Sequence, residues 1–328
     1  MNYQRHKNAG LTLIELMIAL ALSLVLTAAI IQLFISNKTT FKLSEGNARV
    51  QETGRFAVEM LLRDIRMAGF GGCLGRAMPI PKIITKSYSG GLGKLLTDQK
   101  AIFGIDGADA SDTDLNSVTF GAKIGTDIIM IQGVDDAGVG LVGNLVAVNA
   151  NIQISDNRAG FKANDNLLIT DCELADYFAA TNVSKGADKT TIAHSSASNT
   201  TNFLSKAYGQ DAMVFLPSLH SYFIRDTGRT DASGSAIFAL YRRDASGANV
   251  EFLEGVNDLQ IIYGVDNDNN GSVDDYQTAD ELGGIDSGNW ENVVSVRLSL
   301  TVRTIDYLDP APLSRDFEFV AAIRNRTL

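Results

Sequence analysis

From Leu11 to Ile35 the chain reads LTLIELMIALALSLVLTAAIIQLFI, an apolar run in which Glu15 is the one formal charge. Taken as a helix rising about 1.5 Å per residue, it outspans the roughly 30 Å hydrocarbon layer of a bilayer. Arg5, His6 and Lys7 precede the run and no equally basic cluster follows at once. The positive-inside bias therefore predicts a cytoplasmic N-terminus and a head on the far side of the membrane. Past Ile35 the run becomes a pattern. Phe34, Phe41 and Ala48 fall seven apart, and Phe56, Met60, Leu61 and Ile65 continue at helical spacings among charged residues such as Lys42, Glu45, Arg49, Glu52, Arg55, Glu59 and Arg63. This predicts one continuous helix, membrane-spanning over 11–35 and amphipathic over 36–72, broken where Gly69, Gly71 and Gly72 cluster. With no proline before Pro79, its expected soft points are Gly46 and Gly54, each costing about 1 kcal/mol relative to alanine in a helix interior.

From Cys73 to about Gly125 the chain is rich in Gly, Asp and Ser, which reads as loops with an inserted hairpin at most. Strand-like runs follow: TDIIMIQG, LVAVNANIQIS, NLLITDC, AMVFLPSLHSYFIRD, AIFALYRRD, VEFLEGVNDLQIIYGVD, VVSVRLSLTVRT and DFEFVAAIRN. Several alternate with period two, as at Val294, Val296, Leu298, Leu300 and Val302, so one face is buried and the other wet. The expected fold class is α+β, an antiparallel sheet packed on the amphipathic helix. Residues 181–202, biased toward Ser, Thr and Asn, read as an exposed excursion.

Apolar residues make up 45% of the 328 positions and charged residues 20%, ordinary globular values that leave enough material for one anchor and one large head over 73–328. The formal charge is −10. No basic stripe stands ready to neutralise phosphates, so direct nucleic-acid binding is not expected. Cys73 and Cys172 do not form a CxxC pair, which argues against zinc. In a head outside the cytoplasm they are expected as a disulfide, of order 4–5 kcal/mol by chain entropy. The alternative is two separate buried thiols.

Glu15 needs its own account, because a carboxylate in lipid costs roughly 2.5–3.5 kcal/mol on insertion scales and usually has a partner. A secretory signal peptide or a plain signal anchor leaves it unexplained. The stretch Gly10-Leu11-Thr12-Leu13-Ile14-Glu15 resembles the class III signal of type IV prepilins and pseudopilins. That resemblance implies a leader over 1–10, which prepilin peptidase cuts between Gly10 and Leu11 before methylating the new amine of Leu11. It also implies that Glu15 pairs with the N-terminal amine of a neighbouring subunit during assembly, so that two groups costly to bury alone neutralise each other. Family members usually carry Phe where this chain has Leu11.

The stretch QETGRFAVEMLLRDIRMAGFGGC resembles PilW-type minor pilins, with pseudopilins of the type II secretion J class as near relatives. The likeness implies a pilin-like fold and a non-enzymatic minor pilin that primes or enters type IV pilus assembly, supporting twitching motility, adhesion or DNA uptake. Implied partners are other minor pilins, the major pilin, prepilin peptidase and the inner-membrane assembly platform, with membrane lipid around the helix before assembly. The implied location is the inner membrane, single-pass with a periplasmic head, and then the fibre, where so bulky a head belongs near the tip or in an initiation complex. A type II secretion pseudopilin and a membrane-anchored periplasmic enzyme are the alternatives.

Chemistry beyond assembly is sparse. In DNDNNGSVDDYQ, Asp266, Asp268 and Asn270 alternate ahead of Gly271, and Ser272 and Asp274 hold the seventh and ninth positions of a D-x-[DN]-x-[DN]-G loop. That order of oxygens suits a structural Ca2+, with Asp274 or Asp275 completing the set. Gln277 stands where an EF-hand has its bidentate glutamate, so the competing reading is a solvated acidic hairpin turn. The histidines are His6, His194 and His220, and no HExxH occurs. GGLGK, residues 90–94, lacks the spacing of a phosphate loop. Trp290 reads as packing.

Overall fold

The computed structural model describes residues 12–73, 81–86, 100–107, 120–134, 138–244, 247–305 and 312–326. A single helix, α1 (Leu13–Arg66), runs 54 residues without a break, about 80 Å at the standard rise. Thr12 caps its N-terminus in a capping box with Glu15. Its end matches the expectation: Met67 is the C-cap, and Gly69 and Gly72 follow at φ 71° and 89°.

The face of α1 that packs on the head includes Leu61 and Ile65 of the expected apolar set but not its Phe residues. Gly46, Val50, Gly54, Ala57, Leu61 and Ile65 are the buried helix residues, whereas Phe34, Phe41 and Phe56 are 67%, 70% and 53% exposed. At about 100° per residue the two sets lie on opposite sides of the cylinder. Small residues on the buried side let the sheet approach closely, and the larger aromatics are left facing outward. Gly54 is a contact point and not a soft one: a Cβ there would lie 2.3 Å from the Phe317 ring.

After α1 come strands β1 (Lys82–Ile83), β2 (Ile102–Ile105) and β3 (Ile128–Val134), then β4 (Val139–Gly140), β5 (Ile152–Ile154), β6 (Asn166–Thr170) and β7 (Ala175–Ala179). β8 (Asn182–Lys185), β9 (Thr190–Ala193) and β10 (Met213–Phe215) lead to β11 (Pro217–Thr230), β12 (Ala236–Arg243), β13 (Asn249–Glu254) and β14 (Val256–Val265). β15 (Asp275–Gln277), a short helix α2 (Ala279–Leu282), β16 (Val293–Arg303) and β17 (Ser314–Ala322) complete the order. Two antiparallel sheets, β13-β12-β11-β3-β2 and β15-β14-β16-β17, share one core with α1. At its centre Trp290 lies 4.8 Å from Phe103 and 4.9 Å from Tyr263, ring to ring, and donates its indole N–H to the Gly283 carbonyl. The fold is α+β, as expected.

Two further sheets, β1-β7-β6-β10-β4 and β5-β9-β8, build a second lobe with its own core, including Leu167, Ile169, Phe178, Ile192, Tyr208 and Val214. Val134 at the end of β3 is the ladder partner of Pro217 at the start of β11. Residues 135–216 are therefore inserted between two neighbouring strands of one sheet. Within the excursion expected at 181–202 lies the β8–β9 hairpin, exposed along β8 and its turn, while Thr190, Ile192 and His194 are buried at alternate positions. The run LVAVN is loop, and Val146 within it is 94% exposed. A disulfide joins Cys73 to Cys172, tying the segment after α1 to the turn between β6 and β7.

Candidate functional site

Three places carry the candidate chemistry: the membrane end of α1, the acidic loop after β14 and the contact where α1 ends on the sheet. Gly10 and Leu11 lie outside the described residues. Next to them, the Thr12 backbone N–H and hydroxyl each donate to Glu15 Oε2 at 2.9 Å, and the Glu15 N–H donates to Thr12 Oγ1 at 3.3 Å. The side chain that sequence reasoning singled out for a neighbour is thus engaged within its own chain. The signal was legible, since Thr12-x-x-Glu15 ahead of an apolar run is the capping-box pattern. These bonds engage one carboxylate oxygen, Oε2, and start the helix. They supply no opposite charge, and no basic residue lies in 11–35.

The acidic loop connects β14 to β15. Asp266 is fully buried, and its two oxygens accept from the N–H groups of Asn270 and Gly271 at 3.0 Å each. Gly271, at φ 86°, makes the turn that folds the loop back. The carboxylates of Asp266, Asp268 and Asp274 each offer an oxygen within 4.8 Å of the others. Asn270 donates to Asp268 Oδ2 at 2.9 Å, and its carbonyl accepts from Ser272 N–H at 2.7 Å. Asp275 is the first residue of β15, and its carboxylate accepts from Tyr276 N–H. Three Asp residues are thus positioned to hold a metal ion, with hard oxygen donors of the kind divalent alkaline-earth cations take.

Where α1 ends, Asp64 Oδ2 accepts from Tyr222 OH at 2.6 Å and from His220 Nδ1 at 3.0 Å. Burial alone would raise the Asp64 pKa. The bonds from His220 and Tyr222, with the charges of His220 and Arg242, hold it below the ordinary value. The cluster borders a groove of about 360 Å³ also lined by Arg63, Gln132, Ser218 and Phe252. His220 and Tyr222 share one face of β11, which alternation shows, but their partner lies more than 150 positions earlier and nothing local announces it. His194 is a core residue, with Nε2 2.9 Å from the Ala150 carbonyl and its ring against Phe178. Elsewhere in the core Asp127 is pushed up to about 6, chiefly by burial and against the N–H groups of Gly107 and Ile261.

A family model described as Type IV Pilus-assembly protein W matches residues 221–321, which carry β11 to β17. A second, the prokaryotic N-terminal methylation motif, matches residues 5–31 and so takes in Gly10, Leu11 and Glu15. No curated protein and no solved structure matches the chain. The first match falls on the strands that pack against α1 and the second on the segment that opens it, and together they support a PilW-like type IV pilin with a prepilin signal, anchored in the membrane with its head in the periplasm and incorporated into the pilus.

Proposed function

We propose that this minor pilin is a non-enzymatic subunit that primes or enters fibre assembly near the tip or in an initiation complex, in support of twitching motility, adhesion or DNA uptake. The observation that carries this reading is Glu15, the lone charge in an apolar run inside the matched methylation motif. Residues 1–10 act as the leader, 11–35 as the membrane and fibre-core segment, 36–72 as the spine of the head and 73–328 as the head. Prepilin peptidase removes the leader after Gly10 and methylates the Leu11 amine. In the fibre, that amine on a neighbouring subunit supplies the positive charge that Thr12 cannot, which offsets the cost of holding the carboxylate in an apolar core. Other minor pilins, the major pilin and the inner-membrane assembly platform are the partners this requires.

The test is a deletion strain scored for surface pili and complemented with wild type or Glu15→Val. Wild type is expected to restore pili and Glu15→Val to fail while still reaching the membrane. Normal piliation of the deletion strain overturns the assembly role.

In the same reading Asp266, Asp268, Asn270, Ser272 and Asp274 hold a structural Ca2+, Asp275 standing just outside. The approach of three carboxylates within 4.8 Å supports it, since their mutual repulsion is relieved by a cation. Calcium is expected to raise the melting temperature of wild type over chelator, and not that of Asp268→Asn/Asp274→Asn. An identical melting temperature of wild type in both conditions removes the metal from the account.

A further inference from the structure

We propose that residues 135–216 form a separately folding lobe, presented at the membrane-distal end of α1, that pilus assembly does not require. The inference rests on the assembly role proposed above and divides the head between that role and display.

Topology is the first support. The lobe leaves the sheet at Val134 and returns at Pro217, and these two residues are partners in the same antiparallel ladder, followed by Gly133 with Ser218 and Gln132 with Leu219. The ladder is complete without the lobe, and a two-residue turn of Asn-Gly type closes the gap in the geometry of an ordinary hairpin. Insertions with adjacent ends are the kind that folded domains tolerate.

The cores are the second support. Leu167, Phe178, Ile192 and Val214 are buried in a cluster to which, among the described residues, Ile84 alone contributes from outside 135–216, next to β1, which adds an edge strand to the lobe's sheet. Every buried apolar residue of α1 that joins a core joins the other one, with β14 and β16. Between the two lies a smaller contact in which Phe70 and Val134 meet Leu168, Tyr177 and Phe215. The Cys73–Cys172 disulfide reinforces it.

Position is the third. Cys73 follows the end of α1 at Arg66, and that end lies roughly 45 Å beyond Ile35 at the helical rise. The lobe is therefore fastened where the helix is farthest from the bilayer, away from the segment that enters the fibre core. The PilW match, residues 221–321, begins after the lobe has ended.

The experiment replaces residues 135–216 with Asn-Gly, together with Cys73→Ser, and expresses the shortened chain in the deletion strain. Surface pili at wild-type abundance are expected. Accumulation of the shortened chain to the wild-type level without pili overturns the proposal. Since excision bares Ile84 and Phe70, a second measurement keeps the full chain. Calorimetry of the purified protein is expected to show two transitions, one lowered by Phe178→Ala and the other by Leu298→Ala, with pili lost only in the second variant. A single transition lowered by both, or loss of pili with Phe178→Ala at unchanged protein level, also overturns it. Normal pili in the full deletion strain would instead defeat the assembly role, while the calorimetry still decides whether the lobe folds separately.

Discussion

At the scale of single residues, Gly54 shows how a sequence can name a position and mislead about its role. Composition marks it as a weak point, worth about 1 kcal/mol against alanine. In the fold it is a contact between α1 and β17, where an added Cβ would sit 2.3 Å from Phe317. Overpacking of this kind costs about 1–3 kcal/mol, enough to cancel or exceed the gain in helix propensity. Gly54→Ala is expected to be destabilising in urea unfolding, and the same change in a Phe317→Ala background to be stabilising. A stabilising effect of equal size in both backgrounds would show that the contact exerts no pressure. Glu15 is the converse case. Its capping partner was readable three positions away, because the pattern is local, whereas Phe317 is brought to Gly54 only by the folded sheet.

At the scale of elements, the helix, its glycine stop and the long strands were legible because each carries its own period. β16 alternates from Val296 on, with Val296, Leu298, Leu300 and Val302 buried and Arg297, Ser299 and Thr301 more exposed, while its first residues, Val293 to Val296, are all buried. Which side of the helix meets the sheet was not legible, since α1 has apolar residues on two opposite sides and periodicity does not rank them. The β8–β9 hairpin was missed because its Ser, Thr and Asn content resembles a loop and β8 is exposed, although β9 buries alternate positions. The join between α1 and β11 depends on Asp64, and its pH response follows from the direction of its shift. A carboxyl held below its ordinary 3.8 contributes stability that is present above that value and lost as pH falls through the lower, folded-state pKa. Asp64→Asn is expected to cost roughly 1–3 kcal/mol at neutral pH, with a shallower loss of stability on the acid side. Urea unfolding across that range checks both, and parallel acid limbs for wild type and variant would remove Asp64 as the cause.

At the scale of the whole molecule, the sequence supported one head and the structure holds two cores within it, because an insertion between paired strands leaves no mark in local pattern. The disulfide is what makes the difference measurable. Across 99 positions, chain entropy alone would give a cross-link about 4–5 kcal/mol. Here the same residues are also held by β1 pairing with β7 and by Phe70 packing near Phe215, so part of that restraint survives when the bond is gone. Cys73→Ser/Cys172→Ser is therefore expected to destabilise the protein by less than this bound and unevenly. Amide exchange should quicken in β6 and β7, which flank Cys172, and stay unchanged in β14 and β16, which answer to α1. Equal acceleration in all four strands would mean that the bond stabilises one cooperative unit, and that the two cores open together.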